Sequence, residues 1–210
     1  MRFIGDIHGN VEFYRTFLTV GCDESIQVGD FGIGFHGDYW HEKVAEWQKA
    51  NPAHKFIRGN HDDPARVKTM PGYIKDGSVI NTMMLVGGAY SIDKEVRLAN
   101  NWKWWEDEQL SYSRFQTVID TYAITQPSVM VTHDCPHSVA KQMFFDTGMC
   151  MGKQVPTITG QALDAMFSIH QPKLWVFGHY HTTMQVKIGN TIFACVGADD
   201  YLDFNLEDFE

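Results

Sequence analysis

Five short apolar runs spread along the chain each stop at a polar cluster rich in metal-binding residue types, and this repetition constrains the fold more than any other feature. The runs are Arg2-Phe3-Ile4, Ser25-Ile26-Gln27-Val28, Lys55-Phe56-Ile57, Ser128-Val129-Met130-Val131 and Lys173-Leu174-Trp175-Val176-Phe177. Each has the length and the β-branched or aromatic content of a strand. They lead into Gly5-Asp6-Ile7-His8-Gly9-Asn10, Gly29-Asp30-Phe31-Gly32, Arg58-Gly59-Asn60-His61-Asp62, Thr132-His133-Asp134 and Gly178-His179-Tyr180-His181. In layered α/β proteins ligands bind beyond the carboxyl ends of the strands. Strands lying side by side would therefore gather all five clusters at one sheet edge.

Two hairpins add further strands. Lys75-Asp76-Gly77-Ser78 turns the chain between an upstream segment and Val79-Ile80 with Met83–Val86 following, and Gly189-Asn190 joins Met184–Ile188 to Thr191–Val196. Apolar stripes at helical spacing lie between the strands: Val11, Tyr14, Phe17 and Leu18 behind a capping Asn10; Trp40, Val44 and Trp47; Phe115, Val118, Ile119 and Tyr122 behind Ser111; and Ala162, Leu163, Met166 and Phe167. Strands alternating with helices, together with hairpins, predict α/β layers with a mixed sheet.

The 210 residues suit one domain over 1–210, and 44% hydrophobic residues can supply its core. The acidic stretch from Asp199 to Glu210 reads as a solvated tail or an edge segment. A formal charge of −9 argues against general nucleic-acid binding. No apolar run approaches the roughly 20 residues that span a bilayer. Asp6 falls where an export signal would need apolar residues, so the expected compartment is the cytoplasm. The four cysteines (Cys22, Cys135, Cys150, Cys195) show no paired spacing and read as reduced thiols.

The donors at the strand ends are Asp6, His8, Asp30, Asn60, His133, His179 and His181. Asp6 and His8, like His179 and His181, are two apart, and in extended chain such side chains face the same way. Seven donors exceed one transition-metal site but suit two ions if one carboxylate bridges. Imidazole and oxygen without thiolate indicate manganese first, with iron or zinc as alternatives. Two such ions against two carboxylates leave a local charge of about +2, enough to hold a phosphate within an acidic protein.

The order Gly-Asp-x-His-Gly, Gly-Asp-x-Gly, Arg-Gly-Asn-His-Asp, Thr-His, Gly-His-x-His, running from Asp6 to His181, resembles the calcineurin-like metallophosphoesterases. The stretches Gly87–Asp93 and Trp104–Glu108 resemble small bacterial and phage members of that family. The resemblance implies a four-layer sandwich of two mixed sheets flanked by helices, with a dinuclear metal site at the sheet edge. By position, Asp6, His8, Asp30 and His181 would hold the first ion, and Asp30, Asn60, His133 and His179 the second, with Asp30 bridging. A metal-bridging hydroxide would attack a phosphate ester in line, the monoester favoured over a phosphodiester or nucleotide alternative. His61 would be the general acid, Asp62 would orient its ring, and Arg58 would contact phosphate as in the phosphoprotein-phosphatase branch. That branch writes Asp-Arg-Gly after the bridging Asp. Here Asp30-Phe31-Gly32 follows, so a second clamping arginine is absent and the substrate stays open among small molecules, nucleotides and phosphoproteins. A non-catalytic scaffold would show gaps in the ligand set, and none of the seven positions is empty. Asn101-Trp102-Lys103-Trp104-Trp105 reads either as core or as a pocket wall able to stack a base. His36 stands apart from the other histidines because its Gly-rich loop follows Asp30.

Overall fold

The computed structural model describes residues 1–149 and 156–209. Cys150, Met151 and Glu210 lie outside them.

Three of the five runs form one sheet and two form another. β1 (Arg2–Ile4), β2 (Ser25–Gln27) and β3 (His54–Phe56) are parallel, and β10 (Tyr201–Asp203) closes the sheet antiparallel to β1, in the order β10-β1-β2-β3. The second sheet runs β4-β5-β6-β7-β9-β8, from β4 (Ser78–Ile80), β5 (Met83–Val86), β6 (Val129–Thr132), β7 (Leu174–Phe177), β8 (Met184–Ile188) and β9 (Thr191–Cys195). Its centre is parallel and both edges are antiparallel, the edges being the two hairpins read from sequence.

The side-by-side arrangement is thus corrected: two sheets stacked face to face bring the five strand ends to one mouth. Phe3, Ile26, Val28 and Ile57 of the first sheet meet Leu85, Val129, Val131 and Val176 of the second in a common core. The outer face of the second sheet, with Met84, Met130, Trp175 and Phe193, is covered by α5 (Tyr112–Thr125) and α7 (Ile158–Ile169) through Phe115, Val118, Tyr122, Leu163 and Met166. The outer face of the first, with Ile4 and Phe56, packs on Tyr14, Leu18 and the helix α2 (Asp38–Ala50). Central strands buried on both faces explain why their runs are continuously apolar rather than alternating.

Two local expectations change. Ser111 caps α5 by accepting from the Arg114 N–H at 3.4 Å, as its position predicts, but Asn10 makes no cap. Its Nδ2 donates instead to the Asp199 carboxylate at 3.3 Å, and the helix it precedes is three residues, Val11–Phe13, passing into a π-turn, Tyr14–Leu18. The wider turn swings Phe17 outward, where it is exposed, while Tyr14 and Leu18 stay buried. The acidic stretch is an edge segment. β10 pairs with β1, Arg2 forks onto Asp203 with both bonds at 2.8 Å, and Phe204 packs edge-on against Phe3.

Candidate active site

Each donor sits where a strand breaks. The loops after β1 and β2 are tied to each other: the N–H groups of Ile7 and His8 donate to the Asp30 carbonyl at 3.2 and 2.9 Å, and Gly9 N–H donates to the Phe31 carbonyl at 2.8 Å. The donors do not point together by strand alternation, as the two-residue spacing suggested. His8 (φ 44°), Asp30 (57°), His179 (68°) and His181 (52°) are all left-handed, four of eight such non-glycine residues among those described. This conformation is uphill for side-chain-bearing residues, and its concentration here marks a site that the surrounding structure holds in place. Two glycines let the backbone pass close to the carboxylates. A Cβ at Gly59 would fall 2.0 Å from Asp30 Oδ1, and one at Gly178 2.5 Å from Asp6 Oδ1.

One atom each from Asp6, His8, Asp30 and His181 falls within 4.8 Å of all the others. His181 Nε2 is 3.1 Å and His8 Nε2 3.9 Å from Asp6 Oδ2, a buried oxygen with no well-aligned hydrogen bond. The two imidazole Nε2 atoms stand 3.0 Å apart. Donors bound to one ion at about 2.1 Å and at right angles would be about 3.0 Å apart, so this quartet fits a divalent cation.

A second cluster lies on the other side of Asp30. His133 Nδ1 donates to the Val28 carbonyl at 2.8 Å, which in the neutral ring leaves a lone pair on Nε2. That nitrogen is 3.0 Å from Asn60 Oδ1 and 3.3 Å from Asp30 Oδ1. Both oxygens are acceptors, so a lone pair aimed at them requires a positive charge between, either a proton or a metal ion. Burial works against a charged His133, yet the Asp30 carboxylate lifts its pKa to about 10. Conversely, burial would raise Asp30, but His133 and His61 hold it well below the usual carboxylate range. His179 lies edge-on to His133 with ring centres 5.1 Å apart, and desolvation together with the His133 charge pushes it down to about 3. A neutral imidazole is the form that binds metal. Tyr180, between the two histidines, donates to the buried Asp134 at 3.0 Å and stacks on Phe144, which steadies the segment carrying them.

His61 adjoins both clusters. Its Nδ1 is 3.2 Å from Asp30 Oδ2, its backbone N–H donates to Asp30 Oδ1 at 2.7 Å, and its Nε2 is a buried nitrogen without a partner. The ring is therefore oriented by Asp30, not by Asp62. Asp62 instead accepts four backbone N–H bonds, from Phe31 (3.1 Å), Gly32 (2.8 Å), Ile33 (2.9 Å) and Gly59 (2.8 Å), and so clasps the second strand-end loop to the third. Burial and then the nearby Asp30 charge push its pKa up to about 6.

Arg58 is also elsewhere. It is 3% exposed, bonds Asp76 at 2.9 Å through Nε, and donates through Nη1 to the carbonyls of Asp107 (3.1 Å) and Glu108 (2.7 Å). A guanidinium committed to a carboxylate and two carbonyls is a loop anchor, which corrects its reading as a phosphate contact. The tryptophan segment divides. Trp102 is exposed, whereas Trp105 meets Phe35 edge-on at 5.1 Å, and Phe35 in turn meets the His61 ring at 6.1 Å, giving an aromatic wall beside the site. His36 stacks on Trp40 at 4.4 Å. Sequence reasoning passed over Ser91, whose hydroxyl accepts from Asn60 Nδ2 at 3.0 Å. The signal was present, since Ser91 follows the glycine-rich exit of β5 just as the donors follow their own strands.

No helix among the described residues is long and apolar enough to cross a membrane. No curated protein matches the chain. Among the solved structures that resemble it are two weak likenesses. The phosphopantetheinyl hydrolase PptH from Mycobacterium tuberculosis aligns at 14% identity and TM-score 0.49, over 94% of this chain and 89% of that one. A putative 5'-nucleotidase from Staphylococcus aureus, in complex with alpha-ketoglutarate, aligns at 12% identity and TM-score 0.49, over 98% of this chain and 51% of that one. The sequence itself matches the family model of the calcineurin-like phosphoesterases over residues 2–183, a span that opens on β1 and closes just beyond His181. The stretch that builds the cation-fitting mouth is thus the stretch that the family shares, and the chain belongs to the calcineurin-like phosphoesterases, enzymes that hydrolyse phosphoric esters.

Proposed function

We propose that this enzyme hydrolyses phosphate monoesters with two divalent transition-metal ions, manganese first among them. Asp6, His8, Asp30 and His181 would hold one ion, and Asp30, Asn60, His133 and His179 the other. The observation that carries this reading is the mutual approach of four donor atoms from three loops and two sheets. When bound, the ions would polarise the phosphoryl oxygens and make a water acidic enough to attack phosphorus in line. Two ions against the Asp6 and Asp30 carboxylates leave about +2, or about +1 once a hydroxide is bound, a charge that suits an anionic phosphate ester.

The remaining work falls to the protein. His61, with Nδ1 on the Asp30 carboxylate, can carry a proton on Nε2 and give it to the departing alkoxide. Asp62 keeps the His61 loop in register with the Asp30 loop. Phe35, backed by Trp105, stands edge-on beside the His61 ring and gives the site an aromatic flank. The test compares Mn²⁺-supplemented rates on nitrophenyl phosphate and bis-nitrophenyl phosphate. Faster turnover of the monoester is expected. Turnover confined to the diester would overturn the monoester assignment, and no metal-dependent release from either would overturn the two-ion reading.

A further inference from the structure

The buried carboxylate of Glu108 plays no part in the chemistry above, yet a chain of hydrogen bonds leads from it to Asn60. We propose that Ser91 and Glu108 are positioning residues that lock the Asn60 side-chain amide with its oxygen, rather than its nitrogen, facing the second cation. The inference rests on the two-ion reading and assigns it a supporting layer.

The argument is a count of protons. Ser91 and Glu108 are each 1% exposed, so their polar atoms must find partners within the protein. Glu108 Oε1 accepts the Ser91 backbone N–H at 3.0 Å, and Oε2 accepts the Ser91 hydroxyl at 2.5 Å. Those two donations favour the ionised carboxylate against the desolvation that lifts its pKa. An ionised carboxylate only accepts, so the single hydroxyl proton of Ser91 is spent on it. Ser91 Oγ can then only accept from its other neighbour, and of the two ends of an amide only the nitrogen can donate. Asn60 Nδ2 duly stands 3.0 Å from Oγ, which turns Oδ1 to the opposite side, 3.0 Å from His133 Nε2. A reversed amide would set oxygen against oxygen at Ser91 and two amide hydrogens against the cation.

The same logic gives Arg58 its purpose. By holding the carbonyls of Asp107 and Glu108, it pins the loop that delivers the carboxylate to the strand-end loop that delivers Asn60.

Full-length protein stripped of metal would be titrated with Mn²⁺ by calorimetry, with thermal melting followed in parallel. The wild-type chain is expected to bind two equivalents. Ser91→Ala and the isosteric Glu108→Gln are each expected to weaken one equivalent by about 10–100-fold and spare the other, the range found for partners of metal ligands. Gln suffices because its amide can donate to Oγ and free the hydroxyl proton to turn towards Asn60. The distinguishing readout is a double-mutant cycle. In an Asn60→Asp background both ends of the side chain are oxygen, so Ser91→Ala should cost no further affinity. A purely structural serine would cost the same in both backgrounds, and that result overturns the proposal. So do two wild-type-like equivalents in both Ser91→Ala and Glu108→Gln while the wild-type protein binds two. A wild-type protein that binds no Mn²⁺ would instead remove the two-ion reading, and this inference with it. If Ser91→Ala fails to fold, Glu108→Gln alone decides, by the same criterion in the same two backgrounds.

Discussion

Replacing Asp62 by Asn separates two roles that one residue could play. As a clasp, Asp62 satisfies four buried N–H groups, with Oδ1 serving Gly32 and Ile33 and Oδ2 serving Phe31 and Gly59. Asparagine keeps one oxygen and turns an NH₂ towards the other pair, so two N–H groups lose their acceptor. An orphaned buried donor costs about 1–3 kcal/mol. Relief of the repulsion between Asp62 and Asp30 offsets part of that cost, leaving a net loss of about 2–4 kcal/mol. For a chain of this size that is roughly 4–16 °C in Tm. The assay is thermal and urea denaturation of the metal-free protein, so that any ion-binding deficit does not enter, with turnover measured on the folded fraction. As an orienter of the His61 ring, Asp62 would behave in the opposite way, with turnover falling and the melting point barely moving. An Asp62→Asn protein that melts within a degree or two of wild type, but has lost its turnover, would refute the clasp.

Four further outcomes are expected. His61→Asn should retain metal, measured by elemental analysis, and lose about 10²–10⁴-fold in turnover on alkyl phosphates with poor leaving groups; unchanged rates there would take His61 out of the mechanism. Gly59→Ala should abolish metal binding, because its Cβ would intrude on both Asp30 Oδ1 and the Asp30 backbone nitrogen, 2.0 and 2.3 Å away; calorimetry decides. Mn²⁺ at a hundredfold excess over its dissociation constant should raise stability by about 2.7 kcal/mol for each ion bound, and chelation should reverse the gain. Asp203 is held below its ordinary pKa by its hydrogen bonds with Arg2. Its stabilisation is therefore complete above the unfolded value and lost as pH falls through the lower folded one. Asp203→Asn should cost about 0.5–1 kcal/mol at pH 7, and the difference should vanish in strong acid; urea midpoints at both pH values test this.

The strands were most legible where burial on both faces leaves a continuous apolar run, as in β6 and β7, and the donors were legible because each stands just after a strand. Trp175 within its run and His179 just beyond it illustrate both. Local pattern could not show that β1, β2 and β3 part company from β6 and β7, since the choice between one sheet and two depends on packing between residues distant in sequence. The same limit hid the fates of Arg58 and Asp62. Their partners, at Asp76, Glu108 and the 31–33 backbone, lie far along the chain, and a charged residue beside a ligand motif reads alike whether it faces the substrate or a neighbouring loop. Left-handed backbone at His8, Asp30, His179 and His181 was unreadable for another reason. Such conformations are enforced by the assembled structure against local preference.

Asp6, His8, Asp30 and Asn60 hang from one sheet, and His133, His179 and His181 from the other. Neither half of the chain owns a complete ion cage. On the two-ion reading each cation would draw ligands from both sheets, so metal uptake and turnover would both require the two sheets to be packed together.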